Sequence, residues 1–351
     1  MRRTRYPAGL FVGLLVVTLA GAQDLTVCHG KPDGIARLKC YDSVSRYVEP
    51  VASTGDKRPT GLLAERWGYN TNAAETRYQV SQDDRNYLAL SYTGDRNAKP
   101  HSPTHADPGG YPSDLNPLEL GFQLSAKARI FDLGTNRPDL YDPKDHYFGI
   151  WLAYTQQSFW QTFNAPQSRP FRETDYQPEV IFAFRPNLFI DRPEFDGLAW
   201  RLFNIGLVHQ SNGQSDPLSR SWNRVYAQFG FDKRFPDGSD WAVLLRPWYR
   251  FKEQSAKDDN PDIERYLGYG DLRVLYRKGA FDLSVMARGN PRTGKGAAQI
   301  DFTLPLWRTE AAAASPLKWY LRLFSGYGES LIDYNARQTT FSIGFAINDG
   351  Q

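Results

Sequence analysis

About a dozen segments of this chain read as strands separated by turn residues, and several of them alternate apolar and polar residues with a period of two. Trp241, Val243, Leu245, Tyr249 and Phe251 share one parity, with Ala242, Arg246 and Arg250 on the other. Near the end, Phe341, Ile343, Phe345 and Ile347 oppose Ser342, Gly344 and Ala346. Successive side chains of a strand point to opposite faces, so each such segment presents one apolar wall and one polar wall. The segments lie near 85–93, 118–131, 146–157, 177–185, 198–209, 221–231, 240–251, 264–277, 280–289, 297–306, 318–326 and 338–347. Apolar-out with polar-in is the pattern of a transmembrane β-barrel. The expected fold is therefore all-β: a twelve-stranded antiparallel transmembrane barrel over 81–351. A soluble β-sandwich is the alternative, and it leaves outward-facing Trp and Phe unexplained.

The beginning of the chain agrees with export. Met1 to Pro7 carry three arginines, Ala8 to Ala20 are apolar or small, and Ala20-Gly21-Ala22 follows. This reads as a signal peptide over 1–22, because the apolar run is too short for a spanning helix. Residues 23–80 lack strand alternation and read as an N-terminal periplasmic extension. Cys28 and Cys40 are the only cysteines. In an exported protein such a pair reads as a disulfide. A formal charge of +3 is too small to suggest a nucleic-acid partner, and the mean hydropathy of −0.56 excludes a bundle of membrane helices. Loops after odd-numbered strands (94–117, 158–176, 210–220, 252–263, 290–296 and 327–337) are rich in Pro, Gly, Asp and Asn, as extracellular loops tend to be.

The segment His209 to Arg224, HQSNGQSDPLSRSWNR, departs from the alternation. Phe203, Ile205 and Leu207 share a face, and His209 and Ser211 continue its parity. Asn223 shares a face with Val225, Ala227, Phe229 and Phe231, whereas Arg224, Tyr226 and Gln228 take the other. The short loop makes the two strands antiparallel neighbours, which puts His209 and Asn223 on one outer wall near the extracellular end. Arg201 breaks the apolar parity near the other end, where a snorkelling side chain is tolerable.

Residues i and i+2 of a strand lie roughly 6–7 Å apart at the backbone, within reach of an imidazole for a hydroxyl. A serine needs such a base to become a nucleophile, and the base needs a third group to hold its tautomer. A carboxamide costs less on a lipid-facing wall than a carboxylate, which would cost about 2.5–3.5 kcal/mol near mid-membrane. Asp216 is a rival orienting acid, but it lies in the loop with the wrong parity. The bland alternative is a set of interfacial polar residues bonded within a loop. His101 and His105 have a spacing that metals use; in a Pro-rich loop with no third ligand they read as solvated.

The chain resembles the outer membrane phospholipase A family. The similarity rests on His209-Gln210-Ser211-Asn212-Gly213, then Ser215-Asp216-Pro217 and Ser219-Arg220-Ser221-Trp222-Asn223-Arg224. Further matches are Pro170-Phe171-Arg172-Glu173-Thr174, Asp258-Asp259-Asn260-Pro261-Asp262, and the run from Ser325 to Asn335. It extends from about Leu118 to Asp349. The resemblance implies a twelve-stranded barrel with a Ser-His-Asn triad on its outer wall: Ser211 as nucleophile, His209 as proton acceptor, Asn223 as the group that orients it. The backbone N–H of Gly213 would donate to the oxyanion. It also implies Ca²⁺, one per monomer of an active homodimer, held by the Ser219 hydroxyl and the carbonyl of Gln214, with Ser168 supplied by the partner subunit. Oxygen ligands of this kind suit calcium. The family usually has Arg where this chain has Gln214, and a small residue where it has Arg169. Gln156 matches a polar residue at the family's dimer interface within the membrane; the alternative is a lumen-facing glutamine.

The implied activity is calcium-dependent hydrolysis of sn-1 and sn-2 acyl esters of phospholipids and lysophospholipids in the bacterial outer membrane. The site would face the outer leaflet, and dimerisation would activate it. The rivals are a passive outer membrane channel and an inactive barrel of the same fold. Arg224, Arg246 and Arg250, at lumen parity, would either line a pore or fill one with ion pairs.

Overall fold

Strand pairing runs without a break around the molecule. The computed structural model describes residues 28, 33–35, 37, 61–69, 78–105, 111–133, 147–186, 197–254, 257–306 and 317–347. In chain order these form helix α1 (Leu62–Arg66), a short strand β1 (Val80–Ser81), and β2 (Asn86–Tyr92), β3 (Leu118–Leu133), β4 (Tyr147–Trp160), β5 (Glu173–Arg185) and β6 (Ala199–Ser211). There follow β7 (Ser221–Arg234), β8 (Ser239–Phe251), helix α2 (Glu264–Leu267), β9 (Gly270–Lys278), β10 (Phe281–Asn290), β11 (Lys295–Pro305), β12 (Leu317–Tyr327) and β13 (Arg337–Ile347). Each strand from β2 to β13 pairs antiparallel with its chain neighbours. β13 then pairs with β2, from Phe341↔Tyr92 to Ile347↔Asn86, and this closes a twelve-stranded barrel. Closure leaves no strand edge facing lipid, where each unpaired backbone group costs several kcal/mol.

The expected alternation holds around the wall. Tyr249 is 65% exposed, Phe341 50% and Ile347 53%, whereas Ala242, Ser342 and Ala346 are buried. Phe148, Phe184, Phe203 and Phe229 form an outward row across β4 to β7, with successive ring centroids 5.1, 5.8 and 5.2 Å apart. Such a girdle suits the boundary of the apolar band. Two expectations are corrected. Residues 264–267 are not strand but the helix α2, which ends at Gly268 with φ 77°, where a Cβ would meet the Gly289 carbonyl at 1.9 Å. Arg201 does not snorkel outward: a bulge between Trp200 and Leu202 turns both Arg201 and Leu202 inward, and Arg201 Nε donates to Asp232 at 2.9 Å. A bulge inserts one residue into the ladder and so breaks the two-residue period.

The polar interior is filled by paired charges. Arg246 meets Asp271 at 2.6 Å and Arg250 meets Asp258 at 2.6 Å, while Arg224 donates to Gln210 and Gln177 and lies over the Trp222 ring. A cavity of about 350 Å³ remains, lined by Arg66, Asp84, Arg273, Asp301 and Arg322 among others.

The compact unit that carries the barrel runs from Lys57 to Gln351, so the last part of the stretch read as an extension folds with the strands. Helix α1 sits inside the lumen at the end where β7 passes into β8. Leu63, Ala64, Trp67 and Tyr69 pack against Trp151, Ile181, Leu202 and Leu244 from the inner wall. Asp232 of β7 accepts the Leu63 N–H at 3.1 Å and thereby caps the helix from the adjacent barrel wall. Helix N-termini carry unsatisfied N–H groups that need such an acceptor. The Trp67 ring stacks edge-on against Trp151 at 5.4 Å, with Lys127 Nζ 4.1 Å from its centroid. Cys28 is disulfide-bonded and buried; Cys40 and the signal segment 1–22 lie outside the described residues.

Trp67→Ala removes the largest side chain of this plug. It should lower barrel stability by about 3–5 kcal/mol, read from denaturant unfolding in detergent micelles. A loss below roughly 1 kcal/mol would show that the helix is not part of the core.

Candidate active site

The loops after β2, β4, β6, β8, β10 and β12 gather at the end opposite α1. Thr104 Oγ1 donates to the Asp258 carbonyl at 2.7 Å, Arg172 joins Glu119 at 2.8 Å and Asp333 at 2.9 Å, and Asn335 donates to the His101 carbonyl at 2.9 Å. Burial alone would disfavour the Arg172 cation, but Glu119 and Asp333 more than offset it and hold its pKa well above the usual arginine value. Burial and then the hydrogen bond to Asp262 raise the Tyr334 phenol. These contacts brace the rim on which the polar interruption of β6 and β7 stands.

His209 and Asn223 are direct cross-strand partners, and the imidazole Nδ1 lies 2.8 Å from Asn223 Oδ1. His209 is exposed on the outer wall, as its parity predicts. Ser211 is the last residue of β6, two positions along the same face, and pairs with Tyr176 of β5 and Ser221 of β7. Its hydroxyl makes no side-chain hydrogen bond among the described residues. The i, i+2 spacing of roughly 6–7 Å leaves it within reach of Nε2 on a change of rotamer, and such contacts often tighten only with substrate bound. Asp216 is exposed in the loop, where its carboxylate lies 3.6 Å from His105. Among the described residues no hydrogen bond or ion pair joins Asp216 to His209, whose Nδ1 is taken by Asn223.

The chain after Ser211 is shaped by Asn212, which sequence reasoning passed over. Its opposite parity turns it inward, where it is buried. Its Oδ1 accepts the N–H groups of Gln214 (3.3 Å) and Arg220 (2.9 Å), and its Nδ2 donates to the Leu218 carbonyl at 2.9 Å. This folds residues 212–220 into a compact turn. Gly213 adopts φ 64°, and a Cβ there would meet the Tyr176 ring at 3.0 Å, so the position favours glycine on both counts.

The candidate metal ligands fall into two groups. Gln214 Nε2 donates to Glu173 at 2.6 Å, which holds its side chain inward and leaves its backbone in the loop. Ser219 Oγ donates to Asp259 Oδ2 at 2.7 Å. Ser168 lies on the β4–β5 loop, where its hydroxyl donates to the Ala165 carbonyl and its own carbonyl accepts from Trp160; neither contact reaches Gln214 or Ser219. His101 stays exposed, but His105 is not solvated. The β2–β3 loop folds across to Asp259, and His105 Nε2 comes within 3.3 Å of its carboxylate. His105, Asp216 and Asp259 bring three ligand atoms within 4.8 Å of one another. Gln156 faces outward, between Leu124 and Tyr176 in register, not into the lumen. Inward parity on β4 belongs to Trp151 and Ala153.

Twelve strands closed on themselves with an apolar outer face define a transmembrane β-barrel of the outer-membrane type, here with an imidazole, a hydroxyl and a carboxamide on its outer wall. The sequence model of the phospholipase A1 family matches residues 63–347, and the chain belongs to that family. It is 34% identical over 268 residues to a phospholipase A1 of Escherichia coli K12, covering 76% of this chain and 80% of that one. The outer membrane phospholipase A of Escherichia coli superposes with a TM-score of 0.63 at 32% identity, covering 80% of this chain and 98% of that one. A Salmonella typhi outer membrane phospholipase, solved as a dimer with bound calcium, gives a TM-score of 0.62 at 32% identity over 78% of this chain and 94% of that one. This chain is a phospholipase of the outer membrane.

Asn212→Ala leaves two loop N–H groups without their acceptor. It should destabilise the turn by roughly 1–3 kcal/mol and speed amide exchange at Gln214 and Arg220. Unchanged exchange in a folded variant would refute the bracing role.

Proposed function

We propose that Ser211 is the nucleophile, His209 its general base and Asn223 the group that orients the imidazole, in hydrolysis of phospholipid acyl esters at either the sn-1 or the sn-2 position, lysophospholipids included. The observation that carries this reading is the 2.8 Å contact of His209 Nδ1 with Asn223 Oδ1 on the outer wall, with Ser211 on the same face. Accepted by Oδ1, the Nδ1 proton leaves the Nε2 lone pair free to face Ser211. As Ser211 Oγ bonds to the ester carbonyl carbon, its proton passes to Nε2. The tetrahedral adduct collapses, the glycerol oxygen leaves with that proton, and an acyl-Ser211 remains. Water, deprotonated by the same nitrogen, then releases the fatty acid and restores the serine. The positive φ of Gly213 turns its backbone in the strand-to-loop exit beside Ser211, where its N–H would serve the oxyanion.

An outward-facing triad makes sense for a substrate that is the membrane itself. The acyl chain stays in lipid while the ester meets the catalytic wall at the rim, and we place that rim at the outer leaflet. Crossed by ion pairs and holding α1 at one end, the lumen carries no constellation of comparable chemistry, and the channel reading has less support than the outer-wall site.

The donor set of the β6–β7 loop fits calcium: the Gln214 carbonyl and the Ser219 hydroxyl are hard oxygens, and Ser219 stands against the carboxylate of Asp259. In this reading they hold one Ca²⁺ per subunit of an active homodimer, completed by Ser168 of the second copy. When bound, the ion supplies positive charge near the developing oxyanion. Ser168 makes its hydrogen bonds within the β4–β5 loop, to Ala165 and Trp160, and in this reading it completes the site of the second copy rather than its own. The outward Gln156 accepts from the Tyr154 hydroxyl at 3.1 Å and donates to Ser158 Oγ at 3.2 Å on its own strand. In this reading that polar group on a lipid-facing wall marks an interface on β3 to β5, because polar contacts between protein surfaces are favourable in membranes.

Ser211→Ala should lower phospholipid hydrolysis by at least on the order of 10⁴-fold without unfolding the barrel. Chelation should abolish wild-type activity, and added Ca²⁺ should restore it. Calcium-independent hydrolysis that survives the substitution would overturn the reading.

A further inference from the structure

Asn223 has a second partner that the triad does not use. Its Nδ2 donates to Glu253 Oε1 at 3.1 Å. Asn223 pairs in register with Phe251 at the end of β8, and Glu253 follows two residues on, past the strand, beside the carboxamide. We propose that Glu253 is a positioning residue that sets which end of the Asn223 carboxamide faces the imidazole. This rests on the catalytic reading above and deepens it.

A carboxamide has two ends of nearly equal shape and opposite chemistry: Oδ1 accepts and Nδ2 donates. Only Oδ1 towards His209 keeps the proton on Nδ1 and the lone pair on Nε2. The reverse orientation would demand an unprotonated Nδ1, and the neutral ring would then carry its proton on Nε2, where it cannot act as a base. The imidazole alone does not select between these states, since each tautomer satisfies one of them. A carboxylate does select, because it accepts and never donates. Glu253 therefore takes Nδ2, Oδ1 is left for His209, and the charge-assisted bond is stronger than a neutral one. The chain Ser211, His209, Asn223, Glu253 thus ends in a negative charge held one group away from the imidazole. The carboxylate sits beyond the strand end, where it costs less than on the apolar wall.

The same contact bears on why residue 223 is an asparagine. An aspartate there would set two carboxylates within hydrogen-bond distance, and like charges that close disfavour one another's ionisation. With Glu253 in place, the neutral carboxamide is the acceptor that fits.

The test uses the purified full-length protein in mixed micelles at saturating Ca²⁺, with kcat and KM measured on a phospholipid and folding checked by the heat-dependent gel shift. Glu253→Ala should lower kcat by about tenfold, the size of one lost charge-assisted hydrogen bond, with KM little changed. Glu253→Gln, whose own carboxamide oxygen still accepts from Nδ2, should recover most of that loss. In an Asn223→Ala background, Glu253→Ala should have no further effect, because nothing is left to orient. Asn223→Asp should be impaired, and Asn223→Asp with Glu253→Gln should be more active than Asn223→Asp alone. Wild-type kcat in Glu253→Ala overturns the proposal, as does an equal loss in the Asn223→Ala background, which would mark a merely structural role. Ser211→Ala, assayed alongside, separates the two readings. If it stays active, the triad itself fails; if it is inactive while Glu253→Ala is unimpaired, only the role of Glu253 fails.

Discussion

The pairing of β13 with β2 is the constraint from which the rest of the structure follows. In hydrocarbon an exposed strand edge leaves a row of N–H and C=O groups unpaired, so a membrane sheet is viable only when it closes. Closure of twelve strands sends every second side chain to lipid and the alternate ones into a lumen that must accommodate arginines, aspartates and glutamates. Arg246 with Asp271, Arg250 with Asp258 and Arg201 with Asp232 answer that demand in pairs. Breaking one member of such a pair would leave a charge in a confined space, a far larger loss than the pair itself contributes.

Closure also decides where chemistry can occur. With its interior occupied by ion pairs and by α1 at one end, the barrel offers its reactive groups outward, at the rim where strand ends meet loops. There the wall is still rigid, because His209 and Asn223 are ladder partners, while the neighbouring turn is free to take the left-handed backbone of Gly213. Asn212 links the two conditions. It closes strand parity on one side and holds the turn on the other, through three hydrogen bonds to Gln214, Leu218 and Arg220. For a lipid substrate this outward geometry is an advantage, since the ester need not leave the membrane to reach the serine.

Much of this was legible in the order of residues. The two-residue period named the wall of each strand, so the outward position of His209, Ser211 and Asn223 needed no coordinates. The period failed where the backbone itself departed from it. Arg201 lies inward because a bulge beside Trp200 inserts a residue, and a continuous apolar-polar reading cannot see such an insertion. Residues 264–267 read as strand because apolar spacing over four residues does not separate a helical turn from a strand end. His105 read as solvated because its partners, Asp216 and Asp259, are distant in sequence and reach it only across the folded rim.

Parity is a property of the local backbone, and so the sequence alone determined the fold class, the strand count and the wall on which the imidazole, hydroxyl and carboxamide stand. Contacts between loops depend on how many residues separate them around a closed circumference, and no local period encodes that. Only the tertiary structure could decide that α1 plugs the lumen under the cap of Asp232, that Gln156 lies in register between Leu124 and Tyr176, and that Glu253 stands behind Asn223. Each of these joins residues far apart along the chain, and each became a contact only when closure set the register between their strands.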